Sequence, residues 1–343
     1  MKRLDQKLAR IRAGKYKPTD FIIADAKDGD MGPSLTSSGP NRGKDGSWTR
    51  VRTRAEFLDQ IRAIVKQDIL DIMLMSASNA EVLHGEKLFQ KSAVTSAIRA
   101  NDTTCVWRMR GAAYHHTASI PFRSANLPRV MYGTAKAPAG KRAAKGPDLG
   151  LYSITFNNDI EADVRSLEAF NQFRADASAI GFRYFLEVFN PNVDSGIAPD
   201  LVPHYVNDAI LRCLAGVTKA ERPEFLKIAY NGPKALEELA SFDPSLVVGV
   251  LGGGAGTNRD AFELISQAER YGARVALFGR KINLAESPLE MVAMLRRVAS
   301  GVVKPLEAVK AYHAALQKKG IKPDRSLEDD SKVTEEVLKD AAA

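Results

Sequence analysis

The chain of 343 residues has little of the chemistry that marks several protein classes. Its two cysteines, Cys105 and Cys213, are far apart and form no zinc-type pair. We therefore expect a reducing, cytoplasmic setting in which both thiols are buried. No apolar run reaches the roughly 18 residues of a membrane-spanning helix. The basic segment Met1–Lys17 also lacks the apolar centre of a signal peptide. We predict no membrane contact.

Histidine is scarce as well, with five in the chain, of which His115 and His116 are adjacent. Adjacent residues on a strand point in opposite directions, so this pair does not resemble two ligands of one metal. The chain shows no other group of histidines and cysteines at ligand spacing. We therefore expect no metal and no other cofactor.

The charge is unbalanced, with a net charge of +8 and an isoelectric point near 9.3. Met1–Lys17 carries seven Lys or Arg against one Asp, whereas Ser326–Ala343 carries six acids against two lysines. Such a balance suits a nucleic-acid binder or an enzyme of anionic substrates. Basic and aromatic residues do not interleave as they do on a nucleic-acid surface. We therefore predict no nucleic-acid partner and interpret the basic N-terminal segment as a solvated helix.

Apolar runs alternate with amphipathic segments along most of the chain, as expected for parallel strands that are each followed by a helix. Eight such units close a (β/α)8 TIM barrel, the α/β fold that we predict. An open doubly wound sheet is the alternative, but its glycine fingerprint is absent from the first turn, Asp25–Gly29. The predicted strands are Phe21–Ala26, Asp68–Met75, Thr103–Met109, Leu149–Phe156, Tyr184–Phe189, Phe225–Tyr230, Leu246–Leu251 and Arg274–Phe278.

We predict a single domain, 1–343, with two additions to the barrel. Segment 110–148 is an insertion after the third strand, too short and too poor in apolar runs to bury a core of its own. Within it we predict a strand at Arg129–Tyr132 and a basic loop, Lys136–Lys145. Segment 301–343 is a helical extension that covers a face or serves a homo-oligomer contact. The predicted helices are Asp5–Ala13, Arg54–Lys66, Glu81–Ala100, Ile160–Ile180, Val202–Ala215, Pro233–Ala240, Asp260–Tyr271, Leu289–Ser300, Pro305–Lys318 and Val333–Ala341.

Lys227 stands in the middle of a short apolar run, Phe225–Tyr230. An ammonium in a buried strand costs free energy unless a partner or a function uses it. A lysine withdrawn from water is readily neutral, and a neutral amine is a nucleophile. We interpret Lys227 as a Schiff-base former. The structural alternative is a strand lysine that reaches solvent.

An acidic residue, Asp25, lies near the end of the first predicted strand. In a barrel of this kind the active site is at the carboxyl ends of the strands. A carboxylate there could keep the amine charged or orient a substrate hydroxyl. Asp28 and Asp30, just beyond it, fit a turn or a helix cap better than Asp25 does.

Glu187 and Tyr152 are the other polar candidates within predicted strands. A buried carboxyl has a raised pKa and can shuttle protons, which is the role we assign to Glu187. A structural ion pair across the barrel interior, with Lys227 as partner, is the alternative. Tyr152 is a phenolic acid or a core ring.

A glycine run, Gly252, Gly253 and Gly254, follows the seventh strand, and Gly279 and Arg280 follow the eighth. Barrels often bind phosphate with the loops after these two strands. Glycine allows backbone N–H groups to approach an oxyanion closely, and an arginine can pair with it through two hydrogen bonds. A tight turn and a surface arginine are the structural alternatives. We predict a phosphate site here.

At these places together the sequence resembles the class I, Schiff-base aldolases of the deoxyribose-phosphate, tagatose-bisphosphate and archaeal-type fructose-bisphosphate aldolase superfamily. The match is good from about Leu149 to Val298 and thin before it, apart from the first strand. The segments that carry the resemblance are Ile22–Asp25, Phe185–Val188, Leu226–Pro233, Val250–Gly254 and Leu277–Arg280.

The resemblance implies a metal-independent aldehyde-lyase of carbohydrate metabolism that acts on a phosphorylated sugar such as a ketose (bis)phosphate. Lys227 would form an iminium with the ketone carbonyl. Tyr152 or Glu187 would move the proton of the hydroxyl that becomes the aldehyde. Asp25 would help carbinolamine dehydration or position hydroxyls. The glycine run and Arg280 would hold a phosphate.

The sequence departs from the aldolase pattern in two places. Gly252 stands where a serine is often found, which removes a hydroxyl ligand to phosphate. The insertion 110–148, with Tyr114, His115 and His116, is not part of the pattern, and we expect it to influence the choice of substrate. Two other functions stay open. One is another Schiff-base enzyme of this fold that acts on a different phosphorylated carbonyl compound. The other is a non-catalytic barrel that binds a sugar phosphate.

Overall fold

A computed structural model describes residues 1–32, 34–43, 45–139, 143–254, 256–339 and 341. Within these ranges, eight parallel strands close into a barrel. Each strand pairs with its neighbours in the chain, and the first pairs with both the second and the last. The predicted (β/α)8 barrel is confirmed. The barrel strands are β1 Ile22–Lys27, β2 Ile72–Met75, β3 Thr95–Arg99, β4 Leu149–Thr155, β5 Arg183–Phe189, β6 Leu226–Ile228, β7 Gly249–Leu251 and β8 Val275–Phe278.

Helices surround the barrel and extend past its last strand. Among the described residues, none of them is both long and apolar enough to cross a membrane. Two small antiparallel strand pairs lie outside the barrel, one between β1 and β2 and one between β3 and β4. The helices are α1 Arg3–Arg12, α2 Arg54–Gln67, α3 Ala77–Gly85, α4 Leu127–Tyr132, α5 Ile160–Ile180, α6 Val202–Ala215, α7 Pro233–Phe242, α8 Asn258–Arg270, α9 Arg280–Leu284, α10 Pro288–Ala299, α11 Pro305–Lys318, α12 Leu327–Asp330 and α13 Glu336–Lys339.

The third strand is not where the sequence pattern placed it. The prediction of a strand at Thr103–Met109 is wrong, because this stretch consists mostly of turns and loop, with Thr103 in a two-residue strand outside the barrel. The barrel strand is β3, inside the segment predicted as a helix, and α3 ends before it. β3 has few apolar residues, yet all five of its residues are buried between the neighbouring strands, the interior and the helices. Tertiary burial therefore decides its conformation.

The insertion also differs from its predicted form. Arg129–Tyr132 belongs to α4, so the prediction of a strand there is wrong. The side chain of Asn126 accepts a hydrogen bond from the Arg129 N–H at the start of α4, and Gly133, with φ of +74°, ends it in the left-handed region. The predicted basic loop Lys136–Lys145 includes residues 140–142, which lie outside the described residues.

The C-terminal segment is less helical than the pattern indicated. The helix predicted at Pro305–Lys318 is α11, with the same bounds. The helix predicted at Val333–Ala341 is reduced to the single turn of α13, and Asp340 lies outside the described residues. Asp330 and Leu338 are nonetheless buried, so this end of the chain packs against the barrel.

Strand alternation sorts the apolar side chains into two layers. The outward layer packs against the helices. Leu4 and Leu8 of α1 belong to the inward layer, so α1 closes the amino-terminal end of the barrel. The inward residues contributed by or next to the strands are Ile22, Ala24, Ile72, Leu74, Ala97, Leu149, Leu151, Phe185, Phe225, Val247, Val275 and Leu277. Apolar filling therefore stops below the carboxyl-terminal end.

A buried ion cluster fixes α1 and α10 to the closed end. Oδ2 of Asp71 accepts hydrogen bonds from the Ile23 N–H at 2.8 Å and from Nζ of Lys7 at 3.0 Å, and it also pairs with Arg296. The Asp71 side chain is fully buried. Burial lowers the pKa of Lys7 to about 8, against the opposing effect of Asp71. One carboxylate thus compensates two cations from two helices.

We expect Asp71→Asn to lower the free energy of unfolding by about 3 kcal/mol, because it leaves two largely buried cations without their counter-charge. Urea unfolding would measure the change. The matched control is Asp59→Asn, which removes the same charge from an exposed pair with Arg62 and should unfold like the wild type. Equal stability of the two variants would contradict this role of Asp71.

Candidate active site

A layer of polar side chains sits directly above the apolar filling of the barrel. The strands are built so that the residue two positions beyond an inward apolar residue also points inward. On β3 to β6 these positions hold Arg99, Ser153, Glu187 and Lys227, and Asp28, just after β1, joins them. All five are buried. The structure therefore gathers them into one group at the carboxyl-terminal end, where barrel enzymes place their active sites.

Hydrogen bonds and ion pairs link the five residues into a chain. Nε of Arg99 donates to Oδ2 of Asp28 at 2.7 Å, and its Nη1 donates to Oγ of Ser153 at 3.2 Å. Oγ of Ser153 donates to Oε2 of Glu187 at 2.6 Å. Oε1 of Glu187 lies 2.5 Å from Nζ of Lys227. Two carboxylates and two cations alternate, so the group carries no net charge when all four are ionised.

The pair of Glu187 and Lys227 follows from strand register. The two residues are partners across β5 and β6, with 1% and 7% of their surfaces exposed. Two positions earlier on the same strands, Phe185 and Phe225 stack at 4.5 Å and form an apolar floor. A carboxylate in contact with an amine can take up its proton, and a neutral amine in a dry site is a nucleophile. Both predicted residues therefore lie in the candidate site.

Asp28 and Arg99 form the other half of the group. Burial acts to raise the pKa of Asp28, but the charges of Arg99 and Lys227 outweigh it, and the pKa lies below its usual value. Burial acts to lower the pKa of Arg99, but the carboxylates of Asp28 and Glu187 outweigh it, and this pKa lies above its ordinary value. Both groups therefore stay charged at neutral pH.

Tyr152 does not belong to this group, and the prediction of a catalytic tyrosine is corrected. It lies on the outer side of β4, where its ring is 4.3 Å from that of Phe173 and 5.2 Å from that of Phe170. Burial raises the pKa of its phenol, and its hydroxyl has no hydrogen-bond partner among the described residues. Ser153, one residue later, points inward and contacts Glu187 instead.

The prediction for Asp25 is corrected as well. Its strand partners Phe278 and Met73 belong to the outer layer, so Asp25 faces the helices. Both of its carboxylate oxygens lie 2.9 Å from Nζ of Lys27, and the side chains of this pair are fully buried. Asp28, on the inward face, occupies the position that the sequence interpretation gave to Asp25.

Three residues of the site were missed by sequence reasoning. The sequence pattern favours a turn at Asp28 and a helix at Arg99. On the fourth strand it favours Tyr152 as the polar candidate over Ser153. The available signal was the alternation of side chains between the two faces of a strand, because Ser153 follows Leu151, and Glu187 follows Phe185, by two positions. The sequence does not show which parity faces inward when both faces of a strand are apolar.

The glycine run forms one wall of a cavity of about 200 Å³ at the carboxyl ends of β5 to β7. Asn190, Ala229 and Asn231 line it beside Gly252–Gly254, so it begins two residues beyond Lys227. Arg280 is exposed, and its Nη2 donates to the Gly253 carbonyl at 3.1 Å.

The glycine at position 252 has a steric cause. A Cβ on Gly252 would lie 2.5 Å from Cδ1 of Phe278 and 2.8 Å from the Leu277 carbonyl oxygen. A serine does not fit there without a shift of β8. Close packing against β8 thus accounts for the departure from the aldolase pattern.

The insertion reaches the mouth of the barrel through Asn192, which follows β5. Nδ2 of Asn192 donates to the carbonyls of His115 and Thr117, and its Oδ1 accepts from the Ser119 N–H. The ring of His115 packs against that of His116, with their centres 4.0 Å apart. Within the described part of the chain, no three His, Cys, Asp or Glu residues lie close enough to hold a metal ion.

No protein-family model matches the chain, and no curated protein matches it. Solved structures do. An archaeal fructose 1,6-bisphosphate aldolase superposes with a TM-score of 0.58 at 15% identity, over 87% of this chain and 99% of that one. An archaeal fructose-1,6-bisphosphate aldolase with its catalytic lysine bound to the carbinolamine intermediate gives 0.59 at 15% identity, over 87% and 100%. A Corynebacterium glutamicum protein gives 0.56 at 16% identity, over 88% and 98%.

At these identities the likeness shows the shared fold. The resemblance to Schiff-base aldolases that the sequence indicated is confirmed in structure. The chain therefore has the (β/α)8 barrel fold of these aldolases.

Asp28 should make stability depend on pH in a defined direction. Its folded-state pKa is lowered from 3.8, so its charge stabilises the fold above that value and the effect is lost as the pH falls through the lower folded value. Asp28→Asn removes this contribution. We expect the difference in free energy of unfolding between wild type and variant to be full at neutral pH and to narrow in acid.

Asp30→Asn is the matched control for this measurement. Burial raises the pKa of Asp30, against hydrogen bonding by Ser76. The wild-type side chain should therefore become more favourable, relative to asparagine, as the pH falls. Urea titrations at several pH values would compare the two variants. A pH-independent difference for Asp28→Asn would contradict the assignment.

Proposed function

We propose that the chain is a class I aldolase that forms a Schiff base between Lys227 and the ketone of a phosphorylated ketose. The observation that carries the proposal is the contact of 2.5 Å between Nζ of Lys227 and Glu187 at the carboxyl-terminal end of the barrel. The fold shared with fructose-bisphosphate aldolases supports it. The carbon–carbon lyase activity, its independence of metal and the substrate are parts of this proposal.

The first step is addition of the amine to the ketone. Glu187 accepts the proton of the Lys227 ammonium, and the neutral amine attacks the carbonyl carbon. A proton then passes from the attached nitrogen to the alkoxide oxygen, which gives a carbinolamine. The same carboxyl then returns a proton to the leaving hydroxyl, water departs, and an iminium remains. Ser153 and Arg99 hold Glu187 from its other oxygen, so one carboxyl serves as base and then as acid without changing place.

The second step breaks the bond between the α carbon and the β carbon of the iminium. A carboxylate removes the proton of the hydroxyl on the far carbon, the bond electrons flow to the iminium nitrogen, and an aldehyde leaves. The resulting enamine takes up a proton on carbon, and water then releases Lys227 and the ketone product. We assign the proton transfers to Glu187 and place Asp28, whose pKa Lys227 helps to lower, beside the developing charges.

The phosphate would bind at the glycine run. Gly252–Gly254 and Arg280 lie at the ends of β7 and β8, and Arg280 contacts the glycine run through the Gly253 carbonyl. The cavity lined by the glycine run begins beside the strand of Lys227. Binding energy from a phosphate there would hold the ketone near the amine without taking part in the chemistry. The formal charge of +8 also suits an anionic substrate.

Borohydride trapping tests the Schiff base. Reduction in the presence of dihydroxyacetone phosphate should add the mass of the reduced ligand to the protein, on the peptide that contains Lys227. Lys227→Met should abolish the adduct. Lys281→Met is the matched control, because burial lowers the pKa of Lys281 to about 8 and yet it lies outside the polar layer; that variant should still be trapped.

The outcomes of trapping also separate the alternatives. An unchanged mass with wild-type protein would refute the Schiff base and leave a barrel that binds a sugar phosphate without catalysis. An adduct without cleavage or synthesis of carbon–carbon bonds, when aldehydes are supplied, would point to another Schiff-base reaction of the same fold.

Two adjacent substitutions distinguish the structural assignment from the sequence interpretation. Ser153→Ala removes the hydrogen bond to Glu187 and should lower kcat for aldol cleavage by roughly tenfold or more, in the range expected when acid–base catalysis is impaired. Tyr152→Phe removes a hydroxyl that has no partner and should leave kcat unchanged. The reverse pattern would restore Tyr152 as the proton-transfer residue.

A further inference from the structure

The C-terminal strap, residues 331–339, is fastened across the start of α8 beside the glycine run. Asp260 is its main anchor. Oδ1 of Asp260 accepts from the N–H groups of Thr334 at 2.7 Å and Glu335 at 3.1 Å, and Oδ2 accepts from Oγ1 of Thr334 at 2.5 Å. These bonds fix the backbone of the strap at the point where it passes the cavity.

The far end of the strap is tied to the strand of the candidate lysine. Nε2 of Gln267 donates to the carbonyl of Leu338 at 2.8 Å, and Oε1 of the same side chain accepts from the Tyr230 hydroxyl at 2.8 Å. Tyr230 lies three residues beyond Lys227. The Leu338 side chain is 2% exposed. The strap is therefore packed in place at both of its ends.

The strap forms part of the wall of the cavity beside the glycine run. Glu335, Val337 and Leu338 line it together with Gly252–Gly254. Oε1 of Glu335 lies 3.1 Å from the point that a Cβ on Gly254 would occupy, and 3.3 Å from the corresponding point on Gly256. The carboxylate thus lies directly against the loop where a phosphate would bind.

The Glu335 carboxylate is not compensated by any residue that the structure describes. Among the described residues, its side chain makes no hydrogen bond and no ion pair, whereas the next acid, Glu336, pairs with Lys339 at 2.6 Å. Arg280, which directly follows Gly279, donates to the Gly253 carbonyl. An unpaired anion in a small cavity disfavours entry of a second anion, and the effect is strongest where water is excluded.

We propose that Glu335 is a specificity residue that competes with the substrate phosphate for the glycine run. This proposal rests on the phosphate site of the proposed function. Because Asp260 holds the backbone, rotation of the Glu335 side chain out of the cavity is enough to admit the phosphate. The strap therefore lowers the affinity of the cavity for dianionic ligands. A ligand end that carries hydroxyls but no charge is not repelled.

Titration calorimetry with inorganic phosphate and with dihydroxyacetone phosphate tests the competition. Glu335→Gln keeps the shape of the side chain and removes its charge, so both ligands should bind roughly tenfold more tightly than to the wild type, the effect of one like charge on a neighbouring ionised group. The matched control, Glu336→Gln, lies one residue away with its charge already paired and should bind like the wild type.

Arg280→Met separates failure of this inference from failure of the phosphate site. Weaker phosphate binding in Arg280→Met, together with wild-type affinity in Glu335→Gln, would overturn the competition and leave the phosphate site standing. Wild-type affinity in both variants, or no phosphate binding to any of them, would overturn both. Because the Glu335 side chain makes no hydrogen bond or ion pair with the described part of the chain, Glu335→Gln should fold, which its thermal unfolding would show.

Discussion

The contact between Glu187 and Lys227 is the interaction on which the candidate site depends. Register between β5 and β6 makes the two residues partners, and the stacked rings of Phe185 and Phe225 exclude water from below. An ion pair in such a place is costly unless further groups satisfy it. Ser153 and Arg99 do so on the side of Glu187, and Asp28 in turn compensates Arg99. The chain of opposite charges allows a lysine and a glutamate to remain inside the barrel, close enough to exchange a proton.

The two ends of the barrel show how similar charges serve different purposes. At the closed end, Asp71 holds Lys7, Arg296 and a backbone N–H beneath α1, and its side chain has no exposed surface. At the open end, Lys227 keeps some exposure and a cavity begins two residues further along its strand. The first cluster is a structural fastening of two helices. The second places an amine in contact with a carboxylate beside a cavity, which is the arrangement that the proposed Schiff-base chemistry requires.

Much of the barrel could be read from the chain, because long periodic segments carry their structure in local pattern. The helices α5, α6 and α11 have the bounds that the pattern indicated. The failure at β3 has a physical cause: Thr95–Arg99 has few apolar residues, so burial by its neighbours, which a local pattern does not contain, makes it a strand. The same distinction between local pattern and tertiary burial applies to the residues of the candidate site. Lys227 and Glu187 stood out as single ionisable residues in apolar strands, and the structure brings them together. Arg99 could not stand out in a strand that was not recognised.

The sequence by itself determined the number of β/α units, the order of the helices and the strands that carry the lysine, the glutamate and the glycine run. Only the tertiary structure decided which face of each strand points inward. On β1 and β4 both faces are apolar enough to be buried, so pattern could not choose between Asp25 and Asp28 or between Tyr152 and Ser153. Barrel closure chooses, because each strand must match the register of two neighbours at once. Tertiary hydrogen bonds to α8 likewise bring the C-terminal strap to the glycine run, a contact between residues some eighty positions apart that no local pattern encodes.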